Sequence, residues 1–264
     1  MHVITLLNEK GGVGKTTLAT HIAAGLAIKG HRVLLVDTDA QGHATLMMGH
    51  RKQPGLYNLL ARRESWKKVM RFVQPDFYSP SAIEGRLYLL PSNVETRAIP
   101  SVVSDLTLFA RRIAELRSSI DVVIVDTPPT PSMLHGSVYL ATDYLLYPTQ
   151  SHFLSFDGLA ESMARLEEIT ANRSQFNLPN IQILGIVPTM HRAQTVDQSE
   201  NLHDLQERFG VLVWDSIANR TAWTEATSSG KLVWMIDDSA AAAHDIQRVI
   251  DRVSSVVSHE RQAQ

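Results

Sequence analysis

Ten residues, Asn8-Glu9-Lys10-Gly11-Gly12-Val13-Gly14-Lys15-Thr16-Thr17, constrain this chain more than any others do. They follow an unbroken apolar run over residues 3–7 and lead into a segment of helical periodicity over residues 16–29. A glycine-rich turn between a strand and a helix lets the backbone wrap an anion, because successive N–H groups and the helix N-terminus point at it. Lys15 then reaches the terminal phosphates, and Thr16 offers its hydroxyl to Mg2+. The ordinary spacing is G-x-x-x-x-G-K-[ST], and here Glu9 stands where the first glycine would be. A turn that binds no nucleotide would not account for the full lysine–glycine string directly after a strand. Lys10 is the other departure. If it folded back it would crowd the positive charge of Lys15 and Mg2+, so its place at the rim suits a neighbouring subunit instead. A cation supplied in trans accelerates phosphoryl transfer by about 10³- to 10⁵-fold, and hydrolysis would then require a dimer.

Further apolar runs occupy residues 33–36, 122–125, 144–147 and 181–187. Their hydrophobicity is continuous rather than alternating, as in strands buried on both faces of a parallel sheet. Segments of helical period alternate with them over residues 101–118, 156–170, 199–209 and 240–257. This alternation predicts an α/β fold with a doubly wound, mostly parallel sheet and helices on both faces. Ligands bind such sheets beyond the carboxyl ends of the strands. Polar residues follow the runs there, at Asn8, at 37–41, at 126–129 and at 188–190.

The 264 residues read as a single domain, 1–264, with residues 50–100 the least regular and insertion-like part. Apolar residues make up 44% and charged residues 20%, which excludes a disordered chain. Twenty-five basic against 27 acidic residues give a net charge of −2, so any contact with nucleic acid or anionic lipid must come from a local patch. One candidate patch is Arg51, Lys52, Arg62, Arg63, Lys67, Lys68 and Arg71, opposed locally only by Glu64; a solvated helix face is the plainer reading. Zero cysteines exclude disulfides, thiolate metal sites, iron–sulfur clusters and cysteine nucleophiles. No leader pattern and no apolar run of about 20 residues is seen, so the expectation is a cytoplasmic protein without membrane insertion. The stripe Ile246, Val249, Ile250, Val253 and Val257 reads as core packing.

Residues 8–17 resemble the deviant Walker A motif of the ParA/MinD group of P-loop ATPases, in which Lys10 matches the characteristic extra lysine. Residues 33–45, VLLVDTDAQGHAT, resemble the second motif of ParA proteins, usually D-x-D-P-Q-G-N-x-T, and residues 122–129, VVIVDTPP, resemble their Walker B region. The likeness continues through 148–150, 184–190, 222–226 and Gly230-Lys231, so it covers most of the chain and is weakest over 50–100. A carboxylate at a strand end beside a phosphate loop can ligate Mg2+ or orient the attacking water. Asp126 suits the metal. The resemblance implies hydrolysis for Asp39, while Asp37 is either close to the metal or a hydrogen-bonding support. Ala40 replaces the usual proline and His43 the usual asparagine; His43 reads as a hydrogen-bonding loop residue rather than a proton donor. By resemblance the cofactors are ATP and Mg2+. The ATP is held by Lys10, Gly11, Gly12, Val13, Gly14, Lys15, Thr16 and Thr17, and its adenine lies near Pro188, Thr189, Met190, Asn219 and Arg220. ATP rather than GTP follows from the resemblance alone.

Absent cysteines exclude the iron–sulfur members of the superfamily. Tyr147 is the last tyrosine, against a tyrosine-kinase tail, and residues 254–264 are too polar for a MinD-type membrane anchor. A small-molecule P-loop enzyme would leave Lys10 unexplained. What remains resembles the plasmid and chromosome partitioning type. There an ATP-dependent homodimer binds DNA nonspecifically and a ParB-like partner protein stimulates its hydrolysis, which would make this protein nucleoid-associated. Candidate DNA contacts are Arg192, Arg220, Lys231, Arg248 and Arg252, each also readable as an ordinary solvated or ion-paired residue. The other class is a MinD-like or regulatory ATPase that uses the same dimer switch to recruit a protein partner without DNA.

Overall fold

The apolar runs become the strands of one sheet. In the computed structural model, which describes residues 1–150, 163 and 173–262, the strands are β1 His2–Leu6, β2 Arg32–Asp37, β3 Arg71–Val73, β4 Arg86–Leu90, β5 Val122–Asp126, β6 Tyr144–Gln150 and β7 Gln182–Thr189. Their order is β3-β4-β2-β5-β1-β6-β7, parallel throughout except for the antiparallel edge pair β3–β4. The expected doubly wound α/β architecture is therefore present.

Successive residues of a strand face opposite sides of the sheet, which splits the core in two. On one face Ile4, Leu6, Val33, Leu35, Val122 and Ile124 pack against α1 (Lys15–Ile28) and two later helices. On the other, Val3, Leu34, Val36, Val123 and Val125 pack against residues 56–60 and further helices. The helices used below are α1, α2 (His43–Met47), α3 (Leu108–Ala114), α4 (Met133–Ala141), α5 (Val196–Phe209), α6 (Thr221–Ser229) and α7 (Ala240–Gln262). The α1 face carries α6 and α7; the opposite face carries α3 and α4. The stripe Ile246, Val249, Ile250, Val253 and Val257 lies wholly within the first cluster, so it is core. None of the described helices is long and apolar enough to cross a membrane.

Local departures have local causes. Strands β3 and β4 fall inside the stretch read as least regular; β4 carries Arg86 and Tyr88 within five residues and β3 is three residues long, so neither shows a clean apolar run. The helix expected over 101–118 is shortened to α3, preceded by a single turn at Ile99–Val102. Between them the Asp105 carboxylate accepts hydrogen bonds from the Thr107 N–H at 2.9 Å and hydroxyl at 2.7 Å, an Asp turn that competes with helical bonding. The helix expected over 156–170 lies, but for Met163, outside the described residues.

Candidate nucleotide site

The loop after β1 is shaped by its own side chains. Asn8 is buried; its amide donates to the Pro148 carbonyl at 2.7 Å and its side-chain oxygen accepts the Lys10 N–H at 2.8 Å. Gly12 and Gly14 take φ of +75° and +89°, a region costly for residues with a Cβ. Glu9 is not among the residues with positive φ, so the first glycine of the ordinary motif is not required here. Lys15 is buried, and its ammonium donates to the carbonyls of Asn8 at 2.7 Å and Lys10 at 3.0 Å. Burial pulls its pKa below the ordinary lysine value, against the raising influence of Asp126 and Asp39. Lys10 itself is exposed at the rim.

Two carboxylates face each other at the ends of β2 and β5, where Asp37 and Asp126 are register partners. Asp37 is fully engaged: Oδ2 accepts from the Thr45 N–H at 2.8 Å and the Thr45 hydroxyl at 2.7 Å, and Oδ1 accepts from the Asp39 N–H at 3.1 Å. Burial pushes its pKa up to about 6. Asp126 accepts the Thr16 hydroxyl on Oδ2 at 2.8 Å, while its buried Oδ1 has no hydrogen-bond partner. Burial first, and Asp37 second, drive the Asp126 carboxyl well above the usual carboxylate range. An unpartnered carboxylate oxygen beside a hydroxyl is a hard-oxygen donor set that suits Mg2+. Among the described residues no group of three or more His, Asp or Glu is placed to hold a metal ion. Asp39 is half-buried and lines the cleft, with Oδ1 accepting the Gln41 N–H at 2.9 Å.

The cleft measures about 810 Å³ and brings together Gly11, Gly12, Gly14, Lys15, Thr16, Thr17 and Asp39. Its further walls come from Thr96 and Arg97, which the sequence reading passes over, and from the proline-rich turn after β5, which the sequence reading follows only as far as Pro129. His135 of α4 pins that turn. Its Nδ1 accepts the Ser132 N–H at 3.1 Å, which leaves Nε2–H to donate to the Pro128 carbonyl at 3.2 Å. His43, at the start of α2, also lines the cleft.

Beside the cleft lies a pocket of about 320 Å³ lined by Thr189, Met190, Asn219 and Arg220, together with Leu18 and Trp223. Thr189 ties it to the loop, its hydroxyl donating to the Val13 carbonyl at 2.8 Å. Pro188 does not line it; it is buried in β7, with its carbonyl accepting the Ile217 N–H. Trp223 lies in the stretch 222–226 that carries the likeness, but the sequence reading gave it no role at the site. It is oriented by its indole N–H, which donates to the Ala218 carbonyl at 3.2 Å.

The five basic candidates divide. Arg220 and Arg248 converge on Asp245 at 3.2 and 3.3 Å. Arg252 lies 4.7 Å over the Trp214 ring and donates to the Val211 carbonyl at 2.9 Å. Arg192 and Lys231 are exposed and form no ion pair among the described residues.

Residues 1–183 match the AAA domain family. Over 260 residues the chain is 33% identical to the chromosome-partitioning ATPase Soj of Thermus thermophilus, covering 96% of each protein. This protein belongs to the ParA/MinD family of ATPases. The family member hydrolyses ATP and uses ATP and Mg2+ as cofactors. Its fold superposes on a variant of McdA from Cyanothece in complex with ATP, with a TM-score of 0.76, 20% identity and 96% of both chains covered. Cobyrinic acid a,c-diamide synthase from Mycobacterium smegmatis, with a bound ATP analogue and magnesium, matches at a TM-score of 0.77 and 23% identity over 100% of this chain and 97% of that one. At such identities the likeness is one of fold.

Proposed function

We propose that this ParA/MinD-family ATPase acts in DNA partitioning. ATP closes two copies into a sandwich, the closed dimer holds DNA without sequence preference, and hydrolysis stimulated by a ParB-like DNA-binding partner releases it. The observation that carries this reading is the division of labour between the two lysines. Lys15 is buried with its ammonium on the loop's own carbonyls, whereas Lys10 is exposed at the rim, where a second copy would meet it.

Within the cleft, the backbone N–H groups of Gly11 to Thr17 cradle the phosphates, and Lys15 exchanges its carbonyl partners for phosphate oxygens. Thr16 and Asp126 would hold Mg2+, which when bound neutralises phosphate charge. Asp37 holds the Asp39 N–H and Thr45, and so fixes the backbone that carries Asp39. Asp39 accepts a hydrogen bond from the attacking water and aims it at the terminal phosphate. Lys10 of the partner copy adds the cation in trans. The base sits in the pocket of Thr189, Met190, Asn219, Arg220 and Trp223.

For DNA, Arg192 and Lys231, exposed and without an ion pair among the described residues, are the stronger candidates, while Arg220, Arg248 and Arg252 are partly committed within the fold. Cationic contacts to phosphates weaken steeply with salt. The test is retention of a duplex of arbitrary sequence at two salt concentrations by Asp39→Ala protein with ATP or ADP. Salt-sensitive retention with ATP alone supports partitioning. A dimer that ignores DNA would replace this reading with a positioning ATPase that recruits a protein partner.

A further inference from the structure

We infer that Arg97 is a phosphate-binding residue that lets this cleft distinguish ATP from ADP. The inference rests on the phosphate-cleft reading above and deepens it. Arg97 belongs to the short 3-10 turn Val94–Ala98 after β4 and lines the same cleft as Gly11, Lys15 and Asp39.

Its guanidinium has no hydrogen bond or ion pair among the described residues. The neighbouring acid is occupied elsewhere: Glu95 Oε1 pairs with Arg62 at 3.3 Å and Oε2 accepts the Asn93 amide at 3.3 Å. Arg97 instead lines a cleft whose other acidic and basic side chains, His43 aside, are Asp39 and the buried Lys15, with the carboxylates of Asp37 and Asp126 buried at the adjoining strand ends. A triphosphate entering that set adds further negative charge, and a planar guanidinium matches phosphate oxygens two at a time.

The turn is also fixed relative to the catalytic end of the sheet. Asp37 Oδ2 accepts the Thr45 hydroxyl at 2.7 Å, Thr45 Oγ1 accepts the Ser92 N–H at 3.0 Å, and the Ser92 and Thr96 hydroxyls share a hydrogen bond of 2.7 Å. Every member of this chain is at least 97% buried. Buried and satisfied networks of this kind hold a backbone in one arrangement. Thr96 therefore positions its neighbour Arg97 against the end of β2, a precision that a solvated surface arginine does not need.

The test measures dissociation constants of a fluorescent non-hydrolysable ATP analogue and of fluorescent ADP, both with Mg2+, at protein concentrations where light scattering shows monomer. Arg97→Gln is expected to weaken the ATP analogue about 10- to 100-fold, the range of one lost charge-assisted bond, and to leave ADP unchanged. Arg97→Lys recovers part of the loss. Thr96→Val shows the same selective weakening to a smaller degree, with its folding checked by thermal unfolding. Equal weakening of both nucleotides, or no change in either, would overturn the inference. Lys15→Ala separates the two levels. If it loses both nucleotides while Arg97→Gln changes nothing, the cleft reading stands and only Arg97 is wrongly assigned; if it keeps both, the cleft reading and this inference fall together.

Discussion

Asp37 and Asp126 occupy equivalent ends of adjacent strands, yet one has every oxygen bonded and the other keeps one bare. In the proposed mechanism that difference makes Asp37 a support and Asp126 a metal ligand, and assigns Asp39, half-exposed in the cleft, to the water. Asp39→Ala should bind Mg-ATP normally and lose turnover by about 10²- to 10⁴-fold, the scale for losing a positioned side chain that acts on the attacking water. Single-turnover kinetics with parallel binding measurements will check this, and unchanged turnover would remove Asp39 from the mechanism. Lys15→Ala should fail earlier, at binding, because a buried ammonium held by loop carbonyls is part of the phosphate cradle itself. Lys15, Thr16 and Asp126 were legible in the sequence because motif spacing places them. Arg97 was not, since it reaches the site from a segment with no spacing of its own, and Thr45 and Trp223, though inside stretches that carry the resemblance, were given no role by it.

Helix α1 shows how an element delivers the loop. It is buried on nearly all sides, and at Gly25 an added Cβ would lie 2.4 Å from Ile250 Cδ1 of α7. Gly25→Ala should cost about 1–3 kcal/mol by overpacking, read as a lowered denaturation midpoint. One turn nearer the loop, His21 donates from Nδ1 to the Thr17 carbonyl at 2.6 Å and accepts the Val233 N–H on Nε2 at 2.9 Å. Its ring also meets Trp223 and Trp234 edge-on. Both ring nitrogens are used by the neutral form, and burial pulls the pKa down to about 4 from the ordinary 6.5. A depressed histidine is protonated first in the unfolded chain. Its contribution is therefore complete above pH 6.5 and falls away as the pH drops toward 4, by about 3 kcal/mol at most. Asp37, raised to about 6, has the opposite sign: the folded state holds its proton more tightly, so it favours folding as the pH falls below 6. Urea unfolding of wild type and His21→Gln at pH 7.5 and 5 separates them. The variant should be destabilised at pH 7.5 and lose less on acidification, and an equal loss in both proteins would refute the assignment. Helices and strands with long apolar runs, such as α1, β1 and β5, were readable from periodicity alone. Strands β3 and β4 were not, because β3 has only three residues and Arg86 and Tyr88 interrupt the apolar run of β4, so tertiary pairing rather than local pattern makes them.

At the scale of the molecule, the sheet order places β1 between β5 and β6, with connections leaving toward both sides. The nucleotide cleft opens at that switch point, beyond the carboxyl ends of the strands, as the topology requires. Lys10 is exposed and does not line its own cleft, and in the proposed function it serves the cleft of a second copy. Dimerisation is therefore the property on which the proposed function turns. The decisive measurement is sedimentation of the Asp39→Ala protein with Mg-ATP and with Mg-ADP, alongside Asp39→Ala carrying Lys10→Ala. The account expects twice the 29.3 kDa monomer mass with ATP, the monomer with ADP, and a loss of the ATP dimer when Lys10 is removed. A protein that binds ATP yet remains a monomer, or a dimer indifferent to nucleotide and to Lys10, would contradict it.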